Sequence, residues 1–337
     1  MLPVVPWMHW AKIIFEQNLS MAEKILIVGA LGQIGSELTQ WLRAKHGKEA
    51  VIASDRREAP DELRAAGPFE QLDAMDEKRV REIVADHQIT QVYHLVAMLS
   101  ATAENHPRAG WDLNMETLFI FLNLAKEGKI KRLFWPSSIA AFGPTTPKAN
   151  TAQHTVMDPG TVYGISKLAG ELWCRYYHEK YGVDVRSLRY PGLISYQTEP
   201  GGGTTDYAVE IFSDAIKKNH YTCFLSAERR LPMMYMADAV RATVELMEAP
   251  AGQIKERTSY NLAALDFDPA ELAAEIKKQR PDFQIDYAPD QRDEIAKGWP
   301  RSIDDSAARK DWAWQHQYDL EALVKNMLAG MAKKHEA

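Results

Sequence analysis

The chain has 337 residues, 46% of them hydrophobic and 26% charged, with a formal net charge of -6. That length suits one large α/β unit with an attached lobe or two domains, and the apolar share can bury a sizeable core. The acidic balance, without a dense Lys/Arg stripe, argues against nucleic-acid binding. No apolar run reaches the ~18 residues of a membrane span. The two cysteines, Cys174 and Cys223, are too few for a disulfide framework or a Cys-rich zinc site and suit a reducing cytoplasm.

Residues 1–20 are aromatic and weakly amphipathic, with neither the n-region and h-region of a signal peptide nor the arginines of a transit peptide. They read as an extension, with Met21 opening the folded protein; a helix docked on the domain is the alternative. Lys24–Val28 (KILIV) is a continuous apolar run ended by glycine, as in a buried parallel strand. A helix follows over Ser36–Lys45, a strand over Val51–Ser54, a helix over Glu77–Asp86 and a strand over Gln91–Ala97. Next come a long helix over Trp111–Lys126, a strand over Arg132–Pro136, a helix over Tyr163–Tyr181 stopped by Gly182, and a strand over Val185–Tyr190. Alternating strands and helices predict βαβ units around a doubly wound parallel sheet. After Tyr190 the chain becomes loop-rich, with shorter helices expected over Ala239–Glu248 and Asp268–Gln279 and a closing helix over Leu320–Lys333.

Gly29, Gly32 and Gly35 stand as GALGQIG between the first strand and the first helix. Glycines let the backbone turn sharply and approach a pyrophosphate, and the helix N-terminus offers it unpaired N–H groups. Asp55, just after the second strand, can accept from the adenosine ribose hydroxyls and repel a 2′-phosphate, which favours NAD over NADP. Arg56 and Arg57 beside it could instead hold that phosphate. Asp73 fits either an adenine contact or a helix N-cap.

Tyr163 and Lys167 form Y-x-x-x-K, an i, i+4 pair on one helical face. A tyrosine titrates near ~10 when free, and a neighbouring ammonium and a cationic ring both favour its phenolate. Ser138, at the carboxyl end of a parallel strand, points toward the crevice of such sheets and can hold a reacting oxygen while Tyr163 moves its proton. Asn114, in the preceding helix, fits either a cofactor contact beside this constellation or the satisfaction of nearby backbone.

Taken together, the glycine loop, Asp55, Asn114, Ser138 and Tyr163/Lys167 resemble the extended short-chain dehydrogenases/reductases, over Lys24 to about His335. The resemblance implies a Rossmann-type doubly wound sheet, with residues 21–190 as the NAD-binding core. Residues 191–337 would form mainly a smaller α/β substrate-binding lobe, with some segments returning to the core. It also implies Ser138, Tyr163 and Lys167 as the catalytic group, NAD as cofactor, and further cofactor contacts from Gln33, Ile34, Ala97, Tyr190 and Pro191. YPGLIS, PGGGTTDYA, LPMMYMADA and WPRSIDDS are similar to the L-threonine 3-dehydrogenases of this fold. That likeness implies metal-independent oxidation of L-threonine to 2-amino-3-oxobutyrate. Ser100, Thr204, Thr205 and Asp206 would shape the substrate pocket and Trp299 would wall it. Thr204–Asp206 also fit a helix cap, and Trp299 fits a core aromatic. Relatives pair through two long helices, so a homodimer is expected. Two other classes stay open, a sugar-nucleotide epimerase/dehydratase and a non-catalytic dinucleotide sensor. Against the first, Pro191-Gly192 and Leu231 stand where sugar-nucleotide enzymes carry an Asn and an Arg for the diphosphate.

Overall fold

The computed structural model describes residues 23–336, and the reading of residues 1–20 lies outside the described residues. The first half runs β1 (Ile25–Val28), α1 (Gln33–His46), β2 (Val51–Asp55), α2 (Asp61–Ala65), β3 (Phe69–Gln71), α3 (Glu77–Asp86) and β4 (Gln91–His94). It continues with α4 (Ser100–Asn105), α5 (Pro107–Lys126), β5 (Arg132–Phe134), β6 (Ser137–Ser138), α6 (Val162–Tyr181), β7 (Val185–Arg186) and β8 (Leu188–Tyr190). The second half holds β9 (Gly192–Ile194), α7 (Tyr207–Lys217), β10 (His220–Cys223), β11 (Leu231–Tyr235), α8 (Met236–Glu248) and β12 (Tyr260–Asn261). It closes with β13 (Leu265–Phe267), α9 (Pro269–Gln279), β14 (Gln284–Tyr287), α10 (Gln291–Lys297), α11 (Ser306–Trp312) and α12 (Leu320–Glu336).

The main sheet is ordered β3-β2-β1-β4-β5-β7 and every pairing in it is parallel. Strand side chains alternate between faces. Ile25 and Ile27 therefore join Leu38 and Leu42 of α1 and Val244 of α8 on one side. Leu26 and Val28 join Val80, Leu118 and Phe121 on the other. Burial on both faces explains why β1 is an unbroken apolar run rather than an alternating one. The strand order reverses between β1 and β4, which opens a crevice at the carboxyl edge of the sheet.

The strand expected over Val185–Tyr190 is divided. Val185–Arg186 pairs with β5, while Leu188–Tyr190 pairs with β6 and with β12. Pro136 supplies the reason: it has no N–H to donate, so the ladder is interrupted beside it. The bond from Trp135 N to Arg186 O (3.0 Å) keeps the halves in register. Beyond Tyr190, β9, β11 and β13 form a second sheet, β10 pairs β14, and α7, α9 and α12 close over a separate core around Phe212, Leu231, Phe267 and Met327. Among the described residues no helix is long and apolar enough to cross a membrane.

α6 lies against the sheet and α5 because it carries glycine where they meet. A Cβ at Gly170 would stand 2.3 Å from Trp135 Cη2 and 3.1 Å from Leu118 Cδ2. Gly170→Ala is therefore expected to cost ~1–3 kcal/mol as an overpacked core. A urea-unfolding midpoint equal to wild type would contradict this packing.

Candidate active site

The loop after β1 is set by two glycines. Gly29 has φ +92°, a conformation that favours glycine. A Cβ at Gly35 would lie 2.1 Å from the Gly29 carbonyl oxygen, so the helix start can close on the loop only as glycine. Gly32 precedes α1 without a side-chain cap and the first turn carries no acidic residue. The N–H groups there stay open to an anion. Gln33 Nε2 beside them is buried and, among the described residues, has no hydrogen-bond partner. These features fit a dinucleotide pyrophosphate.

Asp55, buried at the end of β2, accepts from Leu31 N at 3.1 Å and from Arg57 N and Nε at 3.1 and 3.0 Å. Burial works to raise its carboxyl, and the bonds from Arg57 and Leu31 outweigh it, leaving Asp55 below the ordinary carboxylate value. It does not itself line the crevice; Leu31 and Arg57, which donate to it, do. Asp73 is exposed and accepts from Met75 N at 2.9 Å in a local turn. It does not line the crevice, and the residue that caps α3 is Asp76, which accepts from Arg79 N at 3.0 Å.

The crevice, about 500 Å³, runs from Gly29, Gly32, Gln33, Ile34 and Gly35 past Ala97 to Ser138, Tyr163, Lys167, Tyr190 and Pro191. Of the two arginines beside Asp55, Arg57 lines the crevice; Leu31, Leu95 and the wall from Thr198 to Gly201 join it without having been singled out in the sequence. These are bracketed by recognised motifs but carry no chemical signature of their own.

Thr161 accepts from Gly164 N at 3.1 Å and so fixes where α6 begins. A Cβ at Gly164 would meet the Ala140 carbonyl at 2.2 Å. That close approach sets Tyr163 against the turn carrying Ser138. Burial of the Tyr163 hydroxyl pushes its pKa up to about 12, against a lowering hydrogen bond from Ser138. Lys167 is 2% exposed, and its Nζ donates to Pro136 O at 2.6 Å and lies 4.5 Å from the Trp135 ring centre. Burial lowers Lys167 to about 7, with the fields of Cys174 and Glu171 opposing. Asn114 takes the backbone role of its two readings: it accepts from Met98 N at 2.8 Å and donates to Met98 O and Ser166 Oγ. It ties the loop after β4, which carries Ala97 into the crevice wall, to α6, and it does not itself line the crevice.

Ser100 opens α4, and its Oγ is 3.4 Å from Thr204 Oγ1, both side chains buried. Thr205 is half-buried beside Gly192. Asp206 precedes α7 but does not cap it through its side chain; its Oδ2 accepts from Gly202 N (2.9 Å) and Gly203 N (2.6 Å). Burial raises its carboxyl to about 6, with the two amides opposing. Trp299 packs in the core of the second lobe, whose partly buried margin includes Tyr163, and does not line the crevice.

Because Arg57 is held by Asp55, Asp55→Ala frees a guanidinium at the crevice wall and would remove the expected ribose acceptor. The NAD/NADP affinity ratio is expected to fall by about tenfold or more. An unchanged ratio by calorimetric titration would contradict this geometry.

The model of the NAD dependent epimerase/dehydratase family matches residues 25–263. An uncharacterized epimerase/dehydratase of Staphylococcus saprophyticus is 48% identical over 318 residues, covering 94% of this chain and 99% of that protein. The holo form of an L-threonine dehydrogenase from Cupriavidus necator superposes with a TM-score of 0.89 at 57% identity, over 91% of this chain and 99% of that one. A monomeric L-threonine 3-dehydrogenase from a metagenome, in its apo form, superposes with a TM-score of 0.88 at 44% identity, over 92% and 99% of the two chains. With its glycine loop, parallel sheet and crevice in place, the chain belongs to the NAD dependent epimerase/dehydratase family.

Proposed function

We propose that the chain oxidises the 3-hydroxyl of L-threonine with NAD, giving 2-amino-3-oxobutyrate, NADH and a proton. The observation that carries this reading is the meeting of Ser138, Tyr163 and Lys167 in the same crevice as the glycine loop. The structural likeness to L-threonine dehydrogenases supports the substrate. NAD in the crevice supplies the hydride acceptor. Ser138 Oγ and Tyr163 Oη bind the substrate hydroxyl, and Tyr163 as phenolate takes its proton. Lys167, anchored by Pro136 O, holds a positive charge beside that phenolate and reaches the nicotinamide ribose. Ser100, Thr204, Thr205 and Asp206 do not line the crevice themselves, and they are the small polar groups that would serve a zwitterion beside it. Asn114 and Trp299 act behind the site, as a loop tie and a core aromatic.

The sugar-nucleotide alternative finds little support. The arginines nearest to Leu231 are already engaged: Arg229 pairs with Asp293 at 2.9 and 3.0 Å, and Arg230 with Asp266 and Glu271. Neither is free to clamp a diphosphate.

Homodimerisation belongs to the same proposal. The outward face of α6 leaves Ile165, Leu172, Trp173, Tyr176 and Tyr181 exposed beside α5. Sedimentation is expected to give a two-chain species, and a monomer at assay concentration would contradict it.

The reading is tested by NADH formation from L-threonine in the presence of chelator, with UDP-sugars expected to be inert. Tyr163→Phe should cut kcat at least ~100-fold; near-normal turnover would refute its role. The phenolate is the active form of a group raised above its ordinary value. Its population therefore grows about tenfold per pH unit below the pKa. The rate should climb from pH 6 to 9, and a flat profile would contradict it.

A further inference from the structure

Directly behind Ser138 and Lys167 lies a buried ionic network that no step above uses. Glu171 is 1% exposed, Arg189 3% and Ser137 2%. Ser137 Oγ donates to Glu171 Oε1 at 2.5 Å. Arg189 donates to the same carboxylate from Nε at 2.9 Å and from Nη2 at 2.7 Å. Arg189 Nη1 also donates to Gln153 O at 2.9 Å and Asn261 Oδ1 at 3.0 Å. The network thus joins α6, β6, β8, β12 and the loop before α6.

A buried ion pair is not needed for stability, since apolar residues of similar volume often serve as well. Its position suggests another use. Tyr163, Lys167 and Glu171 fall at i, i+4 and i+8 on one stripe of α6. Ser137 stands between Pro136, whose carbonyl accepts from Lys167 Nζ at 2.6 Å, and Ser138, whose hydroxyl meets Tyr163. β6 is only two residues long and follows a proline that breaks the ladder. The strand by itself is therefore weakly held at the point where the chemistry needs it fixed.

We propose that Glu171, acting through Ser137, is a positioning residue. It fixes the Pro136–Ser138 segment against α6, so that the Pro136 carbonyl takes a Lys167 N–H and Ser138 faces Tyr163. This rests on the acid–base reading of Tyr163 and Lys167 above. Loosening the segment weakens a hydrogen bond to the ammonium form of Lys167. Lys167 then gives up its proton more easily, and Tyr163 loses part of the charge that favours its phenolate.

Ser137→Ala tests this while leaving the Glu171–Arg189 pair whole. NMR of the lysine-labelled full-length chain follows the Lys167 titration, its signal identified by its loss in Lys167→Arg. Steady-state kinetics run beside it. In Ser137→Ala the Lys167 midpoint is expected to fall. The kcat should drop about tenfold or more, with KM for L-threonine within about threefold and the alkaline rise displaced to higher pH. Ser137→Thr, which keeps the hydroxyl, should return both readouts toward wild type. Should Ser137→Ala fail to fold, Ser137→Cys, similar in size but a weak donor, serves the same comparison. A Lys167 midpoint equal to wild type overturns the proposal whatever the substrate is, because that titration needs no turnover. A shifted midpoint in a protein whose wild type does not oxidise L-threonine supports the positioning and sinks the substrate reading instead.

Discussion

The site depends on how closely α6 can approach the end of β5 and the short β6 that follows it in the chain. Gly164 sits where any Cβ would strike the Ala140 carbonyl, and Gly170 sits where it would strike the Trp135 ring. Two glycines six positions apart let the helix backbone lie directly on the sheet. Tyr163 and Lys167 then reach the carboxyl edge at Ser138 and Pro136. The placement of Tyr163 is thus a consequence of packing: its phenol is delivered by a helix that could not sit a side chain's width further away.

Burial then does electrostatic work in two directions. It raises Tyr163 and lowers Lys167, so each group on its own is driven toward its neutral form. On the proposed mechanism, a cation beside Tyr163 favours the phenolate and a phenolate favours the ammonium, so the charged form would be reached as a pair rather than by either group alone. The Pro136 carbonyl and the Glu171 carboxylate face Lys167 from the protein side. The cofactor's positive ring would complete the arrangement from the crevice side. The same logic accounts for Asp55, where ready-made donors from Arg57 and Leu31 keep a buried carboxylate ionised.

Much of this could be read in the sequence because it is written in local patterns. KILIV followed by GALGQIG specifies strand, turn and helix start, and Y-x-x-x-K specifies two side chains on one face. What could not be read depends on contacts between distant segments. The division of Val185–Tyr190 is caused by Pro136, some fifty positions earlier, across the sheet. Asp73 was ambiguous because Asp76, three residues on, competes for the cap and wins it. Asn114 looks like a site residue in one dimension. In three it faces Met98 and Ser166. β3 and β14 escaped notice because they are short and mostly polar, half-buried in β3 and largely exposed in β14, without the apolar run that marks a buried strand.

The central claim, that the crevice moves a hydride from the hydroxyl-bearing carbon of L-threonine, is tested most directly with L-threonine deuterated at C3. NADH should carry one deuterium for each threonine oxidised, and should form in the presence of chelator. Formation of NADH free of deuterium, or of none by a chain that binds NAD, would contradict it.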